Sequence, residues 1–293
     1  MQLLESVLVT GLSLGLVYVL FAQGFSCTFS VLGEMNFAYG DSLVLSAFIT
    51  LTASHHHIVF GALVIIALAA GALTGLAVNL IAMHPLRGRA SSISFIVSGL
   101  GIALVLRNIT LSEWGPASLP FPDVFAHGNW VMVGSQKLPV TTLVMLGTVA
   151  LSIAFTYWLL RKTRVGFHIR AIAQDQFAAR LVGVPVARTS YFVYAWGGAM
   201  GALAGILYAS VYGVLGISLG FQATIVAWIA AVLGGKGVLW GPVAGGLLLG
   251  LTQSILAVYV STLYETTFTY LIMMVILVIT PEGLFAIRRT ARV

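Results

Sequence analysis

The chain has 293 residues, of which 59% are hydrophobic and only 8% charged, with a formal net charge of +6. Soluble globular domains carry about 25% charged residues, so this composition excludes an ordinary soluble enzyme. Basic residues flanking apolar segments explain the positive balance without a nucleic-acid partner, and the lone Cys27 excludes a disulfide framework or a cysteine zinc cluster within one chain.

Apolar stretches run over 6–31, 37–53, 58–83, 92–111, 138–160, 190–215, 221–233, 238–260 and 267–280. With about 20 apolar residues per crossing, the expected fold is all-α, a polytopic transmembrane helical bundle of about eight or nine spans. One transmembrane domain over 1–293 accounts for the whole chain. The first stretch follows Met1, Gln2, Leu3, Leu4 and Glu5 with no basic segment before it, and it reads as a retained span rather than a cleaved signal.

The stretches beginning at Phe37 and Phe221 are short, and each follows a glycine-containing break. Such pieces read as broken helices lining a protein-enclosed cavity. An internal echo accompanies them, aligning Leu32 and Gly33 with Leu215 and Gly216. Glu34, Asn36 and Asp41 are polar groups at the first break, facing either a cavity or interfacial water. A helix N-terminus with a nearby carboxylate could meet both ends of a zwitterion, which makes Asn36, Tyr39 and Asp41 candidates for a translocation path.

His55, His56 and His57 read as a solvated turn, since no carboxylate or thiol stands nearby to complete a metal shell. Arg107 and Asn108 close the fourth stretch, where Arg107 either snorkels to the interface or contacts substrate. The connection 113–137 carries Trp114, Pro116, Pro120, Pro122 and Trp130, and its prolines exclude a long helix.

The most informative stretch is 161–188, a polar interruption holding six of the fourteen basic residues, Arg161, Lys162, Arg164, Arg170, Arg180 and Arg188. The spacing predicts a helix over 169–182, stopped by Gly183 and Pro185. Ala171, Asp175, Ala178 and Val182 then share one face, small enough to fit a groove on another protein, with Arg170 and Arg180 at its rim. The other reading is a basic helix lying on anionic membrane lipid.

Further on, Gly197, Gly201 and Gly205, and again Gly237, Gly241 and Gly245, repeat every four residues and let helices approach closely. The run Gly234, Gly235, Lys236, Gly237 lacks the leading glycine and the hydroxyl residue of a phosphate-binding loop. If ATP drives this protein, another subunit binds it. No stretch pairs a nucleophile with a base, so neither catalytic nor metal residues are expected. Basic residues at Arg87 and Arg89, in 161–188, and at Arg288, Arg289 and Arg292 place those segments inside, the N-terminus outside and the C-terminus in the cytoplasm.

Arg170 to Asp175, Ala178, Ala179 and Gly183, with Ala202, Ala204 and Gly205, resemble the cytoplasmic loop and following span of branched-chain amino-acid ABC importer permeases. Ala178, Ala179 and Gly183 occupy the Ala-Ala-x3-Gly part of the importer coupling motif, and Phe177 stands at the position of its glutamate. Leu32 to Asp41 resemble the same family's Gly-x-x-Asn-Phe-Ala-His-Gly-Glu segment, with Tyr39 for His and Asp41 for Glu. Pro85, Leu86, Arg87 and Gly88 resemble its Pro-Leu-Arg element, and Val232 to Gly235 with Gly237, Gly241, Gly245 and Gly246 its glycine-rich stretch. The resemblance implies an inner-membrane permease subunit working by alternating access. Its implied partners are ABC ATPase subunits that bind the ATP, a second permease subunit and a periplasmic solute-binding protein. An ion-coupled secondary transporter is the alternative, with Asp41 as its coupling site.

Overall fold

A computed structural model of this chain describes residues 2–33, 35–56, 59–87, 91–122, 130–133, 136–235, 240–280 and 283, and Gly33, Gly115, Gly183, Gly213 and Gly235, all with positive φ, stand at helix ends. The readings placed on Glu34, His57, Gly88, Arg89, Lys236, Gly237 and the basic C-terminal residues lie outside the described residues. The helices are α1 (Gln2–Leu32), α2 (Tyr39–Ser54), α3 (Phe60–Val78), α4 (Ser92–Trp114), α5 (Val140–Lys162), α6 (Arg164–Gln174), α7 (Gln176–Leu181), α8 (Val186–Tyr212), α9 (Leu219–Leu233), α10 (Gly241–Tyr259) and α11 (Glu265–Ile279). Strand β1 (Leu119–Pro120) pairs antiparallel with β4 (Val214–Leu215), and β2 (Trp130–Val133) with β3 (Gln136–Pro139).

Among the described residues, six helices have the length and apolarity to cross a membrane: α1, α3 with its extension to Leu86, α4, α5, α8 and α10. The apolar stretches counted in the sequence exceed these six because α2, α9 and α11 have only 16, 15 and 15 residues. The first two short helices lie innermost. Along α2, Tyr39 to Phe48 are all buried. Its hydroxyls return to its own carbonyls, Ser46 Oγ to Ser42 O at 2.7 Å and Thr50 Oγ1 to Ser46 O at 2.9 Å. That internal satisfaction is what an apolar surrounding demands of polar side chains.

Close helix contacts follow a two-fold pattern. Helix α1 packs antiparallel on α10, with Gly11 against Ser254, Gly15 against Leu247 and Gly246 against Val19. Helix α8 packs in the same way on α3, with Gly198 against Gly71 and Tyr194 against Gly75. Helix α2 leans on α8, where Tyr39 meets Gly201 and Ala47 meets Gly205, as α9 leans on α1. The series α1–α4 therefore recurs as α8–α11. Cys27 and Val31 near the end of α1 share a buried cluster with Val186 at the start of α8, so the two series run in opposite directions. This is the inverted repeat common among transporters.

The register of the repeat differs from the one the sequence suggests. Gly33 (φ 73) ends α1 and Gly213 (φ 69) ends α8, both in the left-handed region that favours glycine. Gly33 thus corresponds to Gly213, whereas the sequence echo aligned it with Gly216, which follows β4 without a left-handed φ.

Candidate functional site

The N-termini of α2 and α9 meet in the interior, so two positive dipole ends converge on one place. Gly40 lies so close to Gly220 that a β-carbon on it would overlap the Gly220 carbonyl oxygen. The Gly40 amide donates to Thr224 Oγ1 at 2.8 Å, tying the two helices together. Asn36 shapes the preceding turn: its Oδ1 accepts from the Ala38 amide at 3.1 Å and its carbonyl from the Tyr39 amide at 3.3 Å. The Tyr39 hydroxyl donates to the Phe21 carbonyl at 3.0 Å, and its ring meets Phe25 edge-on at 5.7 Å. Asn36 and Tyr39 are therefore a turn and a strut within the structure, set beside the candidate path.

Asp41 has a different environment. It is 9% exposed and lies over Gly220, whose β-carbon would sit 2.8 Å from Oδ1. No described donor makes a hydrogen bond to its carboxylate, and Arg107 of α4 supplies the opposing charge. A carboxylate held among helix N-termini, with no hydrogen bond from a described donor, has the charge to meet the ammonium end of a solute, while the dipoles suit a carboxylate. His55 and His56 are exposed, and among the described residues no group of three His, Cys, Asp or Glu could hold a metal.

A second polar cluster escaped the sequence reading. The last turn of α3 widens into a π-turn over Asn79–Met83, followed by a tight turn over His84–Leu86. There Arg87 Nη2 donates to Asn79 Oδ1 at 3.2 Å and to Ser190 Oγ of α8, and His84 stacks on Tyr191 with centroids 5.4 Å apart. Burial lowers the Arg87 pKa from its ordinary value. The cluster fastens the end of α3 to the beginning of α8.

The 161–188 segment forms α6 and α7 at that same end of the bundle. Thr163 caps α6 by accepting from the Gly166 amide at 3.1 Å, and Gly166, Ile169 and Ile172 make its buried face. The helix expected over 169–182 is broken at Asp175, which adopts an extended φ of −157. Its Oδ1 accepts from the Phe177 and Ala178 amides at 2.8 and 3.0 Å, starting α7 afresh. Aspartate favours this role over a helix interior because its side chain competes for backbone donors. Asp175→Ala should lower stability by about 1 kcal/mol, read as a fall in melting temperature of the purified protein; an unchanged melting temperature would contradict the cap.

Asp175 is thus a cap between two helices rather than part of a continuous face. Ala179 is buried with Ile169, Ile172, Val184 and Val186, and Ala171 packs partly against the same cluster. Ala178, Arg170 and Arg180 are exposed, as are Phe177, Leu181 and Val182 at 72%, 74% and 78%. Gly183 (φ 81) stops α7: its amide donates to the Arg180 carbonyl at 3.1 Å and that of Val184 to the Ala179 carbonyl at 3.0 Å. Pro185 then leads directly into α8.

The predicted packing glycines are distributed over several contacts. Gly197 meets α1 at Gly24, Gly201 and Gly205 meet α2, Gly241 meets Gly234, and Gly245 meets Ala230 of α9.

The family model described as branched-chain amino acid transport system, permease component, matches residues 7–280. The chain is 29% identical over 288 residues to the high-affinity branched-chain amino acid transport system permease protein LivH of Escherichia coli (strain K12), covering 94% of this chain and 92% of that one. It is 29% identical over 297 residues to BraD of Pseudomonas aeruginosa, covering 94% of each. It is 26% identical over 263 residues to the ribose import permease protein RbsC of Escherichia coli (strain K12), covering 87% of this chain and 76% of that one. A solved structure, PsaBC from Streptococcus pneumoniae in complex with Fab, superposes with a TM-score of 0.49 at 14% identity, over 94% of this chain and 91% of that one.

Proposed function

Because the chain belongs to the family of permease components of branched-chain amino acid transport systems, we propose that it is the membrane subunit of an ATP-driven importer. Its solute is a branched-chain amino acid or a similar small polar molecule, carried by alternating access without chemical change. The observation that carries this reading is the family match across 7–280, which includes both the α2–α9 crossing and the α6–α7 segment. The reading extends to one permease domain over 1–293 in the inner membrane, with the N-terminus outside, the C-terminus in the cytoplasm and lipid around the exposed helix faces. Its partners are ATPase subunits that bind the ATP, a second permease subunit and a periplasmic solute-binding protein.

The geometry supports a mechanical route. An ATPase seated on α7 pushes a segment joined to α8 through Gly183 and Pro185. Because α8 is locked to α3 by Gly71, Gly75 and the Arg87–Asn79–Ser190 cluster, the two move as one body. The α2–α9 crossing lies between this pair and the α1–α10 pair, so relative motion of the pairs changes access to Asp41. Interfaces this closely packed switch between discrete arrangements rather than deform.

The test is reconstitution with ATPases, second permease and binding protein, in which uptake must require ATP hydrolysis. Uphill uptake by this chain alone, driven by a proton or sodium gradient, would overturn the assignment. Within that system Asp41→Asn should reduce the initial uptake rate about tenfold or more, the scale of a hydrogen bond to a charged group, with the melting temperature retained. A normal uptake rate in this variant removes Asp41 from the path.

A further inference from the structure

On the side of α9 away from Gly40 lies a cavity of about 110 Å³, bounded by α1, α8, α9, α10 and α11. Its lining combines aromatic rings with one acidic group. Tyr18, Tyr208, Tyr212 and Tyr270 contribute four aromatic rings, and Glu265, at the first position of α11, contributes a single carboxylate. The carboxylate is oriented by a relay: the Tyr18 hydroxyl donates to Gln253 Oε1 at 2.7 Å, and Gln253 Nε2 donates to Glu265 Oε1 at 3.1 Å. No further described donor bonds to the carboxylate, and no described Lys or Arg forms an ion pair with it. Tyr208 and Tyr212 sit ring to ring, with centroids 4.3 Å apart.

We propose that this tyrosine-lined cavity binds a primary ammonium group, with Glu265 as its counter-ion. The argument rests on matching charge and softness. An uncompensated carboxylate in a partly buried site favours a cation, and aromatic faces attract ammonium through their quadrupole. A divalent metal is poorly served, because it needs several hard oxygen or nitrogen ligands and only one carboxylate lines the cavity. The Tyr18–Gln253–Glu265 relay supplies the rigidity that a recognition site needs, since each side chain is held by the next.

The site is separate from Asp41. Leu219, Gln222, Ala223 and Val226 of α9 face the cavity, whereas Gly220 and Thr224 face α2. The inference deepens the permease reading and rests on it for the source of the ligand, since an ammonium is one end of every amino-acid zwitterion.

The experiment uses the full-length chain in lipid nanodiscs and equilibrium dialysis with radiolabelled 3-methylbutylamine, corrected for empty nanodiscs. Saturable binding that Glu265→Gln weakens at least tenfold is the expected result, with isovalerate, which lacks the ammonium, failing to compete. Leucine competing with the amine assigns the site to amino acids, and leucine failing to compete assigns it to free amines. Tyr212 is 48% exposed at the end of α8, where a substitution leaves the fold in place. Tyr212→Phe should keep the affinity while Tyr212→Leu weakens it about fivefold.

Equal affinity in wild type and Glu265→Gln overturns the proposal. So does full displacement by sodium ions at concentrations that merely match the amine, which would make this a site for inorganic cations. ATP-driven uptake, measured in sealed proteoliposomes that carry the same permease with its ATPases, second permease and binding protein, separates the two readings. Intact uptake with no amine binding defeats this inference alone, and amine binding without ATP-driven uptake defeats the importer assignment alone.

Discussion

Gly40→Val is expected to abolish recovery of folded protein. At the α2–α9 crossing any β-carbon on residue 40 enters the Gly220 carbonyl and crowds Thr224, and the first of these is backbone that cannot rotate away. Separating the helices to make room also breaks the bond from the Gly40 amide to Thr224 Oγ1, leaving a buried donor unpaired. Overpacking costs about 1–3 kcal/mol and an orphaned donor about as much again, a large part of a net stability of about 5–15 kcal/mol. The measurement is the yield of monodisperse protein in detergent, followed by its thermal unfolding. Gly33→Ala is the matched control: it has a left-handed φ but open space around it, so it should cost only about 1 kcal/mol. A Gly40→Val protein obtained in normal yield and melting with wild type would show that the crossing is not tightly packed.

How much of this was readable in the sequence depends on the range of the interaction. The two short helices and the glycine breaks before them were visible because helix termination is local, set by Gly33 and the residues around it. The stop at Gly183 was visible for the same reason. Asp175 shows the limit of wheel geometry: its side chain competes for the Phe177 and Ala178 amides, and a helix drawn through it misses that a cap of two bonds wins. Thr224, 184 positions from the Gly40 it holds, carries no mark in the sequence that distinguishes it from any other threonine in an apolar helix. The four tyrosines around Glu265 come from α1, α8 and α11, and only the inverted arrangement of helices assembles them. The offset between Gly216 and Gly213 has the same origin, because similarity of short apolar strings is weaker evidence of equivalence than a shared left-handed φ.

In the proposed importer, that arrangement would also let the polar segment between α5 and α8 transmit force. Helix α8 touches α1, α2 and α3, so a displacement at its start reaches the centre without an intervening loop. The Arg87 cluster and the His84–Tyr191 stack lie within the first turns of α8 and couple it to α3 before the crossing is reached.

Ala178→Glu is accordingly expected to leave a folded permease that no longer holds its ATPase. Ala178 is exposed, so a carboxylate there finds water rather than the core. Its neighbours on the surface are Phe177, Leu181 and Val182, large apolar side chains exposed on a polar segment. In the proposed importer these contacts form the seat of the ATPase, where a buried charge facing apolar groups costs about 2 kcal/mol or more, roughly thirtyfold in affinity. Ala179→Glu, one position away, should behave differently, because Ala179 is 3% exposed and packed against Ile169, Ile172 and Val184. That variant is expected to misfold. Co-purification of the ATPase on a tagged permease, paired with melting temperature, distinguishes the two. If Ala178→Glu retains its ATPase and its ATP-driven uptake, α7 is not the docking surface, and the force must enter the bundle elsewhere.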